Sequence, residues 1–257
     1  MTNLSRSTYG PYSAAFYADQ IEGSYKSAQV YLTHLWKYIQ PNSLVDIGCG
    51  RGAWLKICGD LGATTLYGLD GKWNSQANML DQRIKFFPVD LSDGFVCDQK
   101  FDLALSLEVA EHVEPKSSNR FITSLVECSD LVMFGAAYIG QGGTGHVNER
   151  RHSFWASLFN EHDYGVFDFF RPYTWANEDV EFWYRQNTFL YARRGSKHYV
   201  QLTSLGLSEL PNYGFMDCIH PKLFDGRQIS IVNIFSAIIH RVLPITFIRY
   251  LRKKRKY

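Results

Sequence analysis

Apolar residues follow two rhythms along this chain. Over residues 24–39, SYKSAQVYLTHLWKYI, the positions Ala28, Tyr31, Leu32, Leu35 and Ile39 recur at near-helical spacing, and Pro41 ends the pattern. The spacing predicts a helix that leads into a first strand. Short continuous apolar runs follow: SLVDI (43–47), TTLYGLD (64–70), IKFFPVD (84–90), FDLALSLE (101–108) and DLVMFGAAY (130–138). Segments with helical pattern or capping residues separate them. A strand that is apolar at every position is buried on both faces, so this alternation predicts a parallel sheet with helices on either side. HSFWASLFNEH (152–162) predicts a further helix, and the aromatic runs GVFDFFR (165–171) and NTFLYARR (187–194) predict a strand pair that finishes the sheet at one edge. Near the end, Ile231, Ile234, Phe235, Ile238, Ile239 and Val242 lie on one helical stripe, which Pro244 should end.

Length changes this picture little: 257 residues suit one domain of about 200 residues with appendages. We divide the chain into an N-terminal segment (1–23), a catalytic-sized domain (24–195) and a C-terminal extension (196–257). Charge changes it more. The chain carries +2 overall, but eight Lys/Arg and no Asp/Glu fall from Arg227 onward, which leaves −6 on residues 1–226. An acidic body argues against a nucleic-acid groove and puts any attraction to anions, such as a membrane surface, in the tail. The five cysteines, Cys49, Cys58, Cys97, Cys128 and Cys218, show neither CxxC pairs nor framework spacing, so disulfides and zinc knuckles are not expected. That composition, with no apolar leader or spanning run, predicts a cytoplasmic protein, soluble or peripheral on the inner face of the membrane.

The candidate chemistry begins at LVDIGCGRGAWL (44–55), where a strand collapses into three alternate glycines behind Asp46. Gly48, Gly50 and Ala53 satisfy a dinucleotide fingerprint, with Asp70 near the offset of a ribose-binding acid, so a nicotinamide oxidoreductase is one reading. Asp46 favours another. A carboxylate repels a pyrophosphate by several kcal/mol in a low-dielectric cleft and attracts an ammonium and a sulfonium comparably. S-adenosylmethionine carries both and has no phosphate.

LVDIGCGRGAWL, YGLDG, PVDLSDGF and FDLALSLEVAEHV, in this order, resemble the successive motifs of class I S-adenosylmethionine-dependent methyltransferases across roughly residues 20–195. The resemblance implies a doubly wound, seven-stranded Rossmann-like α/β sheet, with an antiparallel edge strand that NTFLYARR would supply. It implies that Asp46, Gly48, Gly50 and Gly52 hold the methionine end, and that Asp70, beside Gly71, takes the ribose hydroxyls. Asp90 would accept from the adenine amino group with Leu91 packed beside it, and Tyr25 would close over the methionine end. A strand-ending Asp is also a common cap or turn residue. A silent S-adenosylmethionine-binding module is a further reading.

Methyl transfer to a hydroxyl needs a placed nucleophile and a group to take its proton. In SLEVAEHVEP, Glu108, Glu111 and His112 stand at i, i+3 and i+4 and would share a face of a helix. The string resembles one associated with a divalent cation in ubiquinone-pathway O-methyltransferases, although such strings also occur in metal-independent relatives. A Glu/Glu/His set suits Mg²⁺, Mn²⁺ or Zn²⁺. The second region is IGQGGTGHVNERRHSFW (139–155), a glycine-rich loop after the fifth strand; there His146 is the candidate base or acceptor ligand, with His112 and Glu111 as substitutes. His146 and Asn148 could equally bond backbone and fix the loop. Trp175, Trp183 and Tyr184 could stack on a flat acceptor or simply fill core. QGGTGHVNE and VEFWYRQNTFLY resemble methyltransferases of bacterial surface-polysaccharide pathways, which implies an acceptor hydroxyl on a sugar or glycan intermediate. A quinone-like or lipid-linked small molecule is the rival acceptor.

Overall fold

The structure, a computed structural model, describes residues 14–225. The chain divides into two compact units, residues 1–218 and 219–257. The basic tail and its apolar stripe therefore lie outside the described residues.

Helix α1 (Ala14–Trp36) begins ten residues before the predicted start and ends ahead of Pro41. Then come β1 (Ser43–Ile47), α2 (Ala53–Asp60), β2 (Thr65–Asp70), β3 (Ile84–Pro88), β4 (Leu103–Leu107), α3 (Ser118–Cys128) and β5 (Leu131–Gly135). The second half holds α4 (His152–Glu161), β6 (Tyr164–Phe167), the short α5 (Arg171–Thr174) and α6 (Phe182–Asn187), β7 (Phe189–Arg193) and α7 (Lys197–Ser204).

Seven strands form one sheet in the order β3-β2-β1-β4-β5-β7-β6. The first five are parallel, with β1 between β2 and β4. β7 runs antiparallel to both neighbours, β5 and β6. NTFLYARR thus supplies the antiparallel strand but sits one place in from the edge, which β6 occupies. Burial pattern could not have told the two apart, because Phe189–Ala192 in β7 and Tyr164–Phe167 in the edge strand β6 are both buried at every position, covered on both sheet faces.

Alternate residues of the central strands feed two cores. Leu44, Leu103, Leu105 and Met133 face Tyr31, Leu35, Trp54 and Phe170, while Val45, Ala104, Val132 and Phe134 face Phe121, Leu125, Trp155 and Phe159. Each such side chain contributes about 1.5–3 kcal/mol by leaving water. At the other edge, Gln76 covers β3: its Nε2 donates to the Ile84 carbonyl at 2.7 Å and its Oε1 accepts from the Phe86 amide at 2.8 Å.

The cysteine expectation needs correcting. Cys97, in the segment after β3, is disulfide-bonded to Cys128 at the end of α3, across 31 residues, while Cys49, Cys58 and Cys218 are free. Packing of that segment on α3 makes the pair, and spacing alone could not reveal it. No helix among the described residues is long and apolar enough to cross a membrane.

Chain order reverses between β1 and β4, and in open α/β sheets the crevice at such a switch, at the carboxyl ends of the strands, receives ligands. Asp46, Asp70, Asp90 and Glu108 all stand at or just beyond those ends.

Candidate active site

The loop after β1 is held from several sides. The Gly48 and Cys49 amides donate to the Leu69 carbonyl at 2.7 and 3.2 Å, and Asn74 Nδ2 donates to the Gly50 carbonyl. Gly48 has φ 81, and a Cβ there would collide with Val109, so only glycine lets this loop lie against the β4 turn. Asp70 is buried; its Oδ2 accepts from the Gly50 amide at 2.7 Å and its Oδ1 from the Gly71 amide at 2.6 Å. Burial raises its pKa, and those two amide bonds oppose the shift.

Asp46 is 4% exposed, and no basic side chain pairs with it among the described residues. Burial first, and the Asp70 carboxylate second, push its pKa up to about 8. A carboxylate in that state is complementary to a cation brought by a ligand. Asp90 is exposed, and its Oδ1 accepts from the Ser92 amide and hydroxyl at 3.0 and 2.6 Å, capping a 3-10 turn over Leu91–Asp93. Those bonds, the hydroxyl first, hold its pKa low. Leu91 is half-buried at the same turn. Tyr25 packs against the first core, its ring 5.9 Å from Lys56 Nζ.

The second half of the site differs from the predicted helical face. Glu108 follows β4 with φ 56, and a single 3-10 turn, Ala110–His112, comes next. This reversal drives the Glu111 side chain inside, 0% exposed, and leaves His112 at the surface. Gln141 Nε2 and Asn187 Nδ2 donate to the Glu108 carboxylate at 2.7 and 2.8 Å. Glu111 has no such side-chain amide partners: both carboxylate oxygens are buried and lie outside hydrogen-bond geometry, with only the Glu111 and Ala137 amides and the Glu108 carboxyl near enough to act on its charge. Burial, then the neighbouring Glu108 charge, holds its pKa well above the usual range.

What faces Glu111 is a pair of imidazoles. His146 Nε2 lies 4.0 Å from Glu111 Oε1, and the His112 and His146 rings stand edge to face, 4.9 Å apart. One ligand atom from each of Glu111, His112 and His146 falls within 4.8 Å of the others. His112 Nδ1 is 3.3 Å from the Gly145 carbonyl, which accepts its proton and leaves Nε2 as the free nitrogen. Burial, then His146, lowers the His112 pKa and keeps the ring neutral, the form that binds metal.

The chain therefore brings Glu111, His112 and His146 together from two loops, with Glu108 alongside but gripped by amides. Asn148 is structural: it is buried, and Nδ2 donates to Ser118 Oγ at 2.8 Å. Tyr184 is core, its hydroxyl 3.0 Å from Ser24 Oγ, and Trp183 packs beside the same core. Sequence reasoning missed Asn74, Gln141, Glu149 and Asn187. Only Glu149 carried a signal, an acid three residues beyond His146 in the glycine loop.

Comparison with known proteins bears on the fold and the family. No curated protein matches the chain. A small RNA methyltransferase, HEN1, superposes with a TM-score of 0.50 at 18% identity over 76% of this chain, although the chain spans only 27% of that protein. The plantazolicin methyltransferase BpumL, solved with SAH, gives 0.49 at 14% identity, covering 69% of this chain and 87% of that one. Magnesium protoporphyrin IX methyltransferase (ChlM) from Synechocystis PCC 6803, also with bound SAH, gives 0.48 at 17% identity, covering 72% and 91%. At 18% identity the likeness to HEN1 is one of fold alone. The sequence itself goes further: residues 26–177, well over half of the chain, match the family described as a methyltransferase domain, and they span the glycine loop, both buried aspartates and the Glu111 cluster, so the chain belongs to that family.

Proposed function

We propose that the protein transfers a methyl group from S-adenosylmethionine to an oxygen acceptor, a hydroxyl of a sugar or glycan intermediate, and that Glu111, His112 and His146 hold a divalent cation at the acceptor end. The orphaned Glu111 carboxylate carries this reading. Two buried oxygens without a side-chain donor, beside a second acid and two imidazole nitrogens, form a set of acceptors that a divalent cation would satisfy. The cosubstrate fits the other half: Asp46 would take the ammonium, the Gly48, Gly50 and Gly52 loop the methionine end, and Asp70 with Gly71 the ribose. Asp90 and Leu91 would meet the adenine, and Tyr25 would close the methionine side. A nicotinamide cofactor suits the site less, because its pyrophosphate would face the Asp46 carboxylate.

The cosubstrate supplies a methyl carbon already activated by its positive sulfur. The acceptor hydroxyl gives up its proton to water, or to His146 in the metal-free reading, and its oxygen forms a bond to that carbon as the carbon–sulfur bond breaks and S-adenosylhomocysteine leaves. A divalent cation held by the three side chains would lower the pKa of an acceptor hydroxyl. His146 Nε2 as a metal-free base is the second reading, favoured by its place in the site, 4.0 Å from Glu111 Oε1. Chelation separates the two. Methyl transfer to sugar or glycan acceptors should stop with EDTA and return with Mg²⁺, Mn²⁺ or Zn²⁺, and Glu111→Gln should lose about 10²-fold or more in rate with S-adenosylhomocysteine affinity intact. Full activity in EDTA would assign the proton transfer to His146 alone. From sequence we infer further that residues 227–257 attract an anionic membrane surface.

A further inference from the structure

The Glu149 carboxylate takes three donors inside the loop that follows β5. Its Oε2 accepts from the Gly140 amide at 2.5 Å, and its Oε1 accepts from the Gly142 amide at 2.7 Å. His146 Nδ1 lies 2.8 Å from the same Oε1. An ionised carboxylate can only accept, and two amides already point at it, so the third contact runs in the same direction: Nδ1 carries the proton and donates. In a neutral imidazole that leaves Nε2 with its lone pair, and Nε2 is the nitrogen that faces Glu111.

The loop is shaped around this contact. Gly142 and Gly145 have φ 76 and 78, and a Cβ on Gly143 would collide with the His146 ring. Beyond the ring, the Val147 and Asn148 amides donate to the Glu111 backbone carbonyl at 2.9 and 3.0 Å, which ties the loop to the cluster it serves.

We propose that Glu149 is the positioning residue of this cluster: it holds His146 as the Nδ1–H tautomer, so that Nε2 is presented to Glu111 as an acceptor. Neutral histidine in water prefers the proton on Nε2, the form in which His146 could neither bind a cation nor take a proton through the nitrogen that faces the site. A carboxylate behind a ligating imidazole fixes its orientation and raises its basicity, and loss of such a partner costs 10–100-fold in metal affinity in well-studied sites. The consequence for metal binding rests on the cation reading above. The tautomer does not.

The test uses the full chain. Long-range ¹H–¹⁵N correlation spectra of the ¹⁵N-histidine protein, at a pH where the ring is neutral, read the tautomer of His146, assigned by its loss in His146→Asn. The wild type should show Nδ1–H, and Glu149→Gln should move the proton toward Nε2. Mn²⁺ affinity by calorimetry should fall roughly 10–100-fold in Glu149→Gln, with S-adenosylhomocysteine affinity held. An Nε2–H signal in the wild type overturns the proposal with no variant required, and so does an unchanged tautomer in Glu149→Gln. A wild type that takes up no Mn²⁺ but shows Nδ1–H, lost in the variant, removes the cation reading and supports the role of Glu149.

Discussion

Asp46 is a buried acid whose charge the free fold tolerates poorly. Its pKa of about 8 in the folded chain stands above the unfolded value of about 3.9. Between those values the folded state holds a proton that the unfolded state has released, so stability declines as pH rises from about 4 to about 8 and levels off above. An ammonium beside the carboxylate reverses the balance, because it favours the charged form and expels the proton. Two outcomes follow from one group. Asp46→Asn should stabilise the free protein near pH 7 by roughly 1–3 kcal/mol and flatten that decline, which urea midpoints between pH 5 and 9 would register. Calorimetry of S-adenosylhomocysteine binding at pH 7, in buffers of different ionisation enthalpy, should show release of up to about one proton in the wild type and none in Asp46→Asn, with affinity at least tenfold weaker in the variant. Proton uptake in place of release would mean that no cation approaches Asp46.

At the scale of the element, what could be read from sequence was what is repeated locally. Five apolar runs became β1 to β5: the central ones are apolar because a strand buried on both faces must be, whereas the edge strand β3 is mostly exposed, and the 152–162 run became α4 within a residue. The glycine loop and the aspartates that end β1 and β2 follow from that register. Contacts between loops had no such local signature. Glu108, Glu111 and His112 share no helical face, because the chain turns back through a left-handed residue at Glu108. His146 joins Glu111 across 35 positions. The Cys97–Cys128 link is of the same kind, and it ties the segment that follows Asp90 and Leu91 to α3. Closing a loop of that length contributes about 3–4 kcal/mol by the chain-entropy account. Protein denatured without reductant should therefore titrate three thiols, those of Cys49, Cys58 and Cys218, and five after reduction, with a lower urea midpoint in the reduced native protein. Five thiols before reduction would show that the pair stays open in solution.

For the whole molecule, the contrast that matters is between an acidic body and a basic end. Residues 1–226 carry −6 and residues 227–257 carry eight positive charges with no negative ones, so an anionic surface repels the first and attracts the second. Near such a leaflet each basic residue would contribute about 1 kcal/mol, and the apolar positions that the sequence spaces from Ile231 to Val242 would add to it if buried at the interface. The residues proposed for the cosubstrate all precede residue 195, so both terms would act without altering any of them. The full chain should therefore co-sediment with phosphatidylserine-containing vesicles at low ionic strength and come off as salt shortens the Debye length toward about 8 Å. A chain ending at Gly226 should stay in the supernatant while binding S-adenosylhomocysteine with unchanged affinity. If both chains remain in the supernatant at low salt, the charge contrast does not serve a membrane. If the shorter chain loses cosubstrate binding, the tail is part of the fold that supports the site.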